Sequence, residues 1–240
     1  MAKFIDLHSH IAWGIDDGMP CIEDAVSSLK NAKKDGIVGI CSTPHFIPGQ
    51  LDVHIYNEMV TRQLELRKLS PIPIYFGGEV MMNSEFIEGL ELDLYPTLNS
   101  SKYMLVLRDI HSIDYRDECL YELKMKGFVP VLAHIERYFH DGLDYDIIDH
   151  WVDMGCILQL NRTSILGVNG KKIQANTLEL LDNGYCDVIC TDTHRATGNR
   201  IEQLSDVYSV VSKRIGSENA DILFYENPKL LFSNKEILNI

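Results

Sequence analysis

Five histidines stand at positions where a metal-dependent enzyme would place its ligands. Each lies at or just beyond the end of a short apolar run, and together they are His8, His10, His45, His134 and His194. Carboxylates accompany them at Asp16, Asp17, Glu79 and Asp192. Core packing alone would not require these residue types to recur where apolar runs end. Mixed imidazole and carboxylate ligands suit Mn, Fe or Zn better than Ca.

Two pairs within this set have the spacing of residues on one side of an extended strand. One residue separates His8 from His10 and Asp192 from His194, and side chains alternate with a period of two along a strand. Either pair can therefore direct both side chains to one ion. Glu79 follows a Gly-Gly turn at a predicted strand end, where a carboxylate can bridge two ions. Neighbouring ions can polarise a phosphoryl oxygen and activate a water, so no serine or cysteine nucleophile is needed.

Apolar runs alternate with amphipathic stretches, and this alternation predicts the elements that position the candidate ligands. The predicted strands are 4–7, 37–43, 72–77, 103–107, 128–133, 156–160 and 187–191, with 222–225 as an eighth candidate. The predicted helices are 22–35, 53–69, 116–126, 144–154, 172–183 and 200–216. Repeated strand–helix alternation implies a parallel sheet. In a closed α/β barrel the active site lies at the carboxyl ends of the strands, which is where the candidate ligands fall.

Glycines mark the ends of several predicted helices. Gly36, Gly127, Gly155 and Gly184 each follow the last predicted turn, where a left-handed cap conformation favours glycine. These positions therefore predict where four helices end.

Length and composition restrict the class of protein. A chain of 240 residues, 45% hydrophobic and 24% charged, is expected to form a single globular domain over 1–240. The formal net charge of −13 argues against nucleic acid as the main partner. No stretch approaches the roughly 20 apolar residues that span a bilayer, and the first predicted strand begins at once, so we expect a cytoplasmic protein without a signal peptide or membrane insertion.

The six cysteines offer one alternative route to phosphatase chemistry. Cys156 and Arg162 have the spacing of a cysteine-based phosphatase loop. The residues between them contain no glycine and are predicted to form a strand, which cannot easily curl its N–H groups around a phosphate. Cys41, Cys156 and Cys190 are instead expected to be reduced and buried.

Several segments together resemble the polymerase and histidinol phosphatase (PHP) superfamily. They are 5–10, 14–18, 42–45, 78–79, 133–138, 153–156, 191–194 and 227–228, so the resemblance runs from residue 3 to about 232. The Asp-Asp-Gly and Ala-His-x-Glu-Arg segments more narrowly resemble manganese-dependent protein-tyrosine phosphatases encoded with bacterial capsule and exopolysaccharide genes. The resemblance implies an α/β fold, a distorted TIM-like (β/α)7 barrel, and three divalent metal ions, with Mn expected and Fe or Zn also compatible.

The same resemblance implies how the ligands divide among the ions. One ion would take His8, His10, Glu79 and Asp192. A second would share Glu79 as a bridge and add His134. The third would take Asp17, His45 and His194. Asp16 is expected to cap or orient its loop.

One ligand position departs from the pattern of these phosphatases. They place a glutamate near the end of the strand 103–107, and the aligned residue here is Leu107. Asp109 and His111 have the same strand parity and could supply the ligand if the strand continues. We take His111 as the first candidate and Asp109 as the second, and a weakened or two-ion site as the remaining alternative.

Arginines are the candidate phosphate-binding residues. Arg137 follows His134 by three residues and can bind a phosphate oxygen through a forked, charge-assisted contact. The resemblance implies a second arginine after Asp192-x-His194, where both Arg195 and Arg200 are available; the candidate catalytic pair is Arg137 with Arg200. The remaining arginines near strand ends are expected to be solvated surface residues; they are Arg108, Arg116 and Arg162.

Other residues are assigned weaker roles. His54, His140 and His150 are expected to have no function in the site. Three aromatic residues could contact a substrate ring or could simply pack in the core; they are Trp13, Phe46 and Tyr138.

The function that the resemblance implies is hydrolysis of protein phosphotyrosine by a metal-activated water. Its substrate would be the tyrosine-rich tail of a bacterial autokinase that controls polysaccharide export. The alternatives are a small-molecule phosphatase acting on a compound such as histidinol phosphate, a 3′–5′ exonuclease, and a non-catalytic metal-binding regulator. The oligomeric state stays open, with the helix 22–35 as a candidate contact between copies in a homo-oligomer.

Overall fold

Parallel strands form the centre of the computed structural model, which describes residues 2–50, 53–91, 94–108, 116–139 and 142–240. The strands are β1 (Phe4–Ser9), β2 (Ile37–Ser42), β3 (His45–Phe46), β4 (Ile74–Phe76), β5 (Glu79–Met82), β6 (Tyr103–Arg108), β7 (Val129–Leu132), β8 (Ile157–Asn161) and β9 (Val188–Cys190). They pair in the orders β1-β2-β4 and β3-β5-β6-β7-β8-β9, and every pair is parallel. The α/β class predicted from the alternation is confirmed.

The sheet curls until its first and last strands meet. The residues after β9 pair with β1 through a parallel bridge between Ser9 and Thr193. Asp192 donates its backbone N–H to the carbonyl of His8 at 2.9 Å, and His10 donates to the carbonyl of Thr193 at 2.9 Å. The carboxyl ends of β1 and β9 therefore lie side by side, and with them the two ligand pairs of the sequence.

Helices cover the outer face of the curled sheet. They are α1 (Ile22–Asp35), α2 (Val53–Leu69), α3 (Phe86–Glu91), α4 (Arg116–Met125), α5 (Tyr145–Asp153), α6 (Arg162–Ile165), α7 (Lys171–Asp182), α8 (Ser205–Ile215), α9 (Ser217–Asp221) and α10 (Asn227–Phe232), with 3₁₀ turns at Leu98–Ser100 and Ile135–Tyr138. The predicted helix 53–69 is confirmed, and the ends of several others shift by a residue. No helix within the described ranges is long and apolar enough to cross a membrane.

Alternate residues along the strands divide between two apolar clusters. Met104 and Leu158 pack in the cluster that includes residues of α1, α4 and α8, whereas Leu105 and Ile157 belong to the second cluster, on the concave face of the sheet. Side chains that follow Ile157 at a spacing of two therefore point to the concave side as well. This places the polar residues at the end of β8 beside the candidate ligands.

Two sequence predictions are wrong in detail. The segment predicted as an eighth strand is a π-helical turn, Ile222–Glu226, because a short apolar run does not distinguish a strand from a buried helix. The helix predicted over 200–216 begins at Ser205, where the carboxylate of Asp35 accepts the N–H groups of Leu204 and Ser205 at 2.7 and 2.9 Å. Glu79 follows the end of β4 after the Gly-Gly turn, as predicted, and also begins a further strand, β5.

The predicted glycine caps are confirmed. Gly36, Gly127, Gly155 and Gly184 have φ angles of 100°, 86°, 74° and 78°, which lie in the left-handed region that favours glycine. A Cβ at Gly155 would meet no described atom within 4 Å, so a substitution there changes the backbone energy and not the packing.

Gly155→Ala is therefore expected to lower the free energy of unfolding by about 1 kcal/mol, the backbone cost of a left-handed alanine. Gly155→Asn should cost less, because asparagine tolerates this conformation. Urea denaturation monitored by circular dichroism measures both. An alanine variant as stable as the parent protein would contradict the assignment of this cap.

Candidate metal and phosphate site

Two imidazoles from the end of β1 face each other in the interior. His8 and His10 are fully buried, and their Nε2 atoms lie 3.2 Å apart. Each Nε2 is 3.3–3.4 Å from Oε2 of Glu79 and 3.6 Å from Oδ1 of Asp192. Contacts at 3.6 Å are too long for hydrogen bonds. The four side chains therefore converge on a common point, where the contacts of both imidazoles with Asp192 are too long to be hydrogen bonds.

Glu79 is the centre of this convergence. Its Oε2 lies 2.9 Å from Nδ1 of His45, and its Oε1 lies 3.0 Å from Nε2 of His134, so its carboxylate reaches four imidazoles. Burial alone would raise the pKa of Glu79. The positive charge of His8 and the hydrogen bonds from the imidazoles outweigh burial and hold that pKa well below its usual range. The buried carboxylate is therefore ionised.

A second group forms at the mouth of the site. Oδ1 of Asp17 lies 3.4 Å from Nε2 of His45 and 3.3 Å from Nε2 of His194. Asp17 is exposed at the surface, whereas His194 is buried. The imidazole ring of His10 stacks against that of His194 at a centroid distance of 4.1 Å, which joins this group to the buried one.

Asp16 orients the residues of the second group. Its Oδ2 accepts a hydrogen bond from Nδ1 of His10 at 2.7 Å and one from the backbone N–H of His45 at 2.9 Å, and its Oδ1 accepts the N–H of Gly18 at 2.8 Å. Burial opposes its ionisation, but the hydrogen bond and the charge of His10 lower the pKa of Asp16 to about 2. With its oxygens engaged in this way, Asp16 orients the loop and leaves Asp17 facing the imidazoles.

The donor atoms fit the demands of divalent metal ions. Within the described residues, three groups have ligand atoms that all lie within 4.8 Å of one another: His10, Asp17, His45 and His194; His8, His10 and Asp192; and His8, Glu79 and His134. This is close to the spacing of ligands that each lie about 2.1 Å from one ion. Imidazole nitrogen mixed with ionised carboxylate oxygen is a donor set for Mn, Fe or Zn.

Strained backbone accompanies two of these residues. His134 and Asp192 have φ angles of 37° and 52°, in the left-handed region that non-glycine residues seldom adopt. Both follow strands directly, His134 after β7 and Asp192 after β9. Such conformations cluster at functional sites, where the surrounding structure holds them in place.

Two arginines flank Asp192. Nη2 of Arg137 lies 3.1 Å from Oδ2 of Asp192, and Nη2 of Arg200 lies 3.0 Å from Oδ1 and 2.9 Å from Nε2 of His194. Arg195 instead donates to the backbone carbonyls of Asp17 and Gly18 at 2.6 and 2.7 Å. The structure thus places Arg137 and Arg200 among the candidate ligands, while Arg195 supports the loop that carries Asp17.

The sequence suggested that Arg162 is a solvated surface residue, and the structure shows that this prediction is wrong. Arg162 is buried and forms a double ion pair with Asp206, at 2.9 and 2.6 Å, while donating to the carbonyl of Asn199 at 2.8 Å. Glu202 fixes the same loop by accepting the Ser9 hydroxyl at 2.7 Å. Together these contacts hold the segment that presents Arg200.

Several other residues considered in the sequence analysis lie outside the three groups of candidate ligands or outside the described residues. Leu107 is half-buried on β6 opposite Met81. His54 and His150 are exposed and lie outside the three groups, and Nε2 of His150 is 3.6 Å from Oδ2 of Asp117. Asp109, His111 and His140 lie outside the described residues, as do the side chains of Arg108 and Arg116.

The aromatic candidates all make packing contacts. Trp13 is stacked under the guanidinium of Arg62 at 4.9 Å, and Phe46 contacts the rings of Tyr56 and Tyr95. Tyr138 packs edge-on against Trp151 and, with ring centroids 6.2 Å apart, against His134. Their contact with a substrate ring stays a prediction.

The position and the burial of Cys156 argue against its use as a nucleophile. Cys156 precedes β8, whose opposite end faces the candidate ligands, and burial raises the pKa of its thiol to about 12. Arg162 is already paired with Asp206. A thiol that stays protonated is a poor nucleophile.

Cys156→Ala is accordingly expected to change phosphatase activity by less than about twofold, because only a thiolate could act as nucleophile. Incubation with iodoacetamide should likewise leave the rate unchanged. Phosphate release before and after each treatment measures the effect. A loss of activity that follows alkylation of Cys156, located by mass spectrometry, would refute the metal-only assignment.

The curled parallel sheet and the groups at its carboxyl edge define an α/β protein with a candidate metal centre. A sequence profile described as "Capsular polysaccharide synthesis, CpsB/CapC" matches residues 4–233. Because this match covers nearly the whole chain, the protein belongs to the CpsB/CapC family.

Individual relatives match over nearly their full length. The chain is 28% identical over 249 residues to the tyrosine-protein phosphatase CpsB of Streptococcus agalactiae serotype III (strain NEM316), covering 97% of this chain and 100% of that protein. It is 28% identical over 239 residues to the tyrosine-protein phosphatase YwqE of Bacillus subtilis (strain 168), covering 97% and 93%. A solved structure from work on YwqE of Bacillus subtilis and CpsB of Streptococcus pneumoniae, described as metal-dependent tyrosine phosphatases, matches with a TM-score of 0.86 at 27% identity, covering 98% of this chain and 97% of that one.

Proposed function

We propose that this protein is a metal-dependent phosphatase that hydrolyses phosphotyrosine in proteins. The observation that carries the proposal is the convergence of imidazoles and ionised carboxylates beside two arginines, in a chain of the CpsB/CapC family. Among the described residues, no cysteine belongs to the three groups of candidate ligands. Bound divalent ions can activate a water as the nucleophile, so the proposal needs no nucleophilic side chain.

Three divalent ions, with Mn²⁺ as the expected metal, are part of the proposal. One would be held by His8, His10, Glu79 and Asp192, one by Glu79 and His134, and one by Asp17, His45 and His194. His111, or Asp109 in its place, would complete the second set. When bound, the ions supply Lewis-acid chemistry and an activated water.

The arginines supply the phosphate-binding part of the mechanism. Arg137 and Arg200 approach Asp192 from its two carboxylate oxygens, at 3.1 and 3.0 Å. Their remaining N–H groups can donate to the phosphoryl oxygens of a substrate and neutralise the charge that grows in the transition state. Tyr138 is positioned to contact the phenyl ring of the substrate.

The finer architecture and the cellular role belong to the same proposal. Counting β2 with β3 and β4 with β5 as kinked single strands reduces nine strands to seven, so we assign a distorted (β/α)7 barrel of the PHP type, a single domain over 1–240. The expected setting is the bacterial cytoplasm. The expected substrate is the tyrosine-rich tail of an autokinase that controls capsular or exopolysaccharide synthesis, as the phosphatase names of the relatives and the capsule description of the family suggest.

The direct test compares substrates and metals. Protein stripped with a chelator should be inactive, and Mn²⁺ should restore phosphate release from a phosphotyrosine peptide. Histidinol phosphate, assayed at the same concentration, should be hydrolysed far more slowly. The opposite preference would replace the protein-phosphatase proposal with a small-molecule phosphatase, and a metal-loaded protein inactive on both would favour a non-catalytic regulator.

A further inference from the structure

Strand β8 contributes no residue to the three groups of candidate ligands found among the described residues, yet two of its side chains lie buried against those groups. Gln159 and Asn161 are fully buried polar residues in the otherwise apolar segment Ile157–Asn161. β8 pairs with β7 on one side and β9 on the other. These two strands lead directly to His134 and Asp192.

The contacts of these amides form one continuous chain across the site. Oε1 of Gln159 lies 3.0 Å from Nδ1 of His8 and accepts the backbone N–H of His134 at 3.0 Å. Nε2 of Gln159 donates to Oδ1 of Asn161 at 2.6 Å. Nδ2 of Asn161 donates to Oδ2 of Asp192 at 2.9 Å.

The direction of every hydrogen bond in this chain is fixed from both ends. The backbone N–H of His134 can only donate, so the atom of Gln159 that it meets must be the oxygen. An ionised carboxylate can only accept, so Asn161 must turn its amide nitrogen to Asp192. Each of these two conditions independently requires that the amide nitrogen of Gln159 donates to the amide oxygen of Asn161.

This direction determines which nitrogen of His8 is free. Because Oε1 of Gln159 cannot donate, Nδ1 of His8 must carry the hydrogen that joins them. In the neutral imidazole that binds a metal, Nε2 of His8 then presents its lone pair towards Glu79 and Asp192. A histidine that binds a metal through one nitrogen usually donates the other N–H to a neighbouring acceptor, which fixes both the tautomer and the ring orientation.

We propose that Gln159 and Asn161 are positioning residues that hold His8, His134 and Asp192 in the geometry for binding divalent metal. The inference rests on the proposed function only in requiring that the cluster binds such ions. It assigns to β8 the role of aligning ligands that come from three separate strand ends, β1, β7 and β9.

The test measures Mn²⁺ binding to metal-stripped protein by isothermal titration calorimetry. Gln159→Met and Asn161→Leu keep the size of each side chain and remove the amide, and each is expected to raise the dissociation constant about 10–100-fold. Asn227→Leu is the matched control, because Asn227 is a buried asparagine whose hydrogen bonds go to the backbone of Asp187 and Leu238. It should lower the melting temperature and leave the dissociation constant unchanged.

A second measurement needs no variant. Long-range ¹H–¹⁵N NMR correlation of wild-type protein loaded with diamagnetic Zn²⁺ should show His8 with a hydrogen on Nδ1 and the metal on Nε2. Metal on Nδ1 would overturn the inference. Mn²⁺ affinity equal to that of the wild-type protein in both Gln159→Met and Asn161→Leu would also overturn the inference. In that case, phosphatase activity of the wild-type protein would still support the proposed function. A wild-type protein that binds no Mn²⁺ would refute the inference and the proposed function together.

Discussion

Glu79→Gln is expected to abolish Mn²⁺-dependent phosphate release, with kcat/KM falling at least about 10³-fold, since the stabilisation that bound metals give to a transition state amounts to several kcal/mol. The carboxylate of Glu79 reaches His8, His10, His45 and His134, so its charge is the one shared by the largest number of candidate ligands. Glutamine keeps the shape of the side chain but replaces one ligand oxygen with an amide nitrogen, whose N–H groups can only donate.

The readouts for this variant are metal content by elemental analysis and the initial rate of phosphate release. Glu85→Gln is the matched control, because Glu85 is an exposed glutamate that follows the same strand, β5, and its variant should retain both the metal and the rate. A Glu79→Gln protein with the metal content and rate of the parent would remove Glu79 from the site.

Arg200→Met is expected to lower kcat/KM about 10²–10³-fold, the usual cost of removing one donor to the charge of a transition state. Bound metal should be retained, because Arg200 contacts Asp192 and His194 from outside the three groups of candidate ligands. Arg200→Lys keeps the charge but not the forked geometry and should recover only part of the loss. Steady-state kinetics, measured together with the metal content of each variant, separates a role of Arg200 in phosphate binding from a role in metal retention.

Arg214→Met provides the control for this experiment, since Arg214 pairs with Asp182 on the exposed side of α8. Its variant should keep the parent kinetics. If Arg200→Met loses metal in proportion to activity, Arg200 holds Asp192 in place and does not bind phosphate. If Arg195→Met loses more kcat than Arg200→Met and retains its metal, Arg195 binds phosphate and Arg200 does not.

Much of this site could be predicted from the sequence because its ligands stand at strand ends. Residues at the carboxyl ends of parallel strands meet at one edge of a sheet, so His8, Glu79, His134 and Asp192 could be expected to gather without knowledge of the tertiary structure. The glycine caps were equally predictable, because a left-handed backbone is a local property that glycine alone adopts at little cost.

Features that depend on distant partners were not predictable. The apolar runs give no sign that new strands begin at His45 and Glu79 after β2 and β4 end, since these new strands accompany the curling of the whole sheet. Arg162 could not be known to be buried, because its partner Asp206 lies 44 residues away. The choice between Arg195 and Arg200 depends on the path of one loop, which residue spacing does not determine.

The polar residues of β8 show a signal that could have been used. Gln159 and Asn161 alternate with leucines in a strand that is otherwise apolar, and a buried polar side chain requires a hydrogen-bonding partner. Those partners, however, come from β1, β7 and β9. The pattern indicates that buried partners exist but not that they are the candidate ligands.

If the clustered imidazoles and carboxylates bind the metal ions of a phosphotyrosine phosphatase, phosphate release must depend on those ions. The most direct measurement is phosphate release from a phosphotyrosine peptide by metal-stripped protein, before and after reloading with Mn²⁺, beside His8→Ala treated in the same way. We expect activity only in the Mn²⁺-loaded wild-type protein. Equal rates in the stripped and reloaded protein, or full activity in His8→Ala, would contradict it.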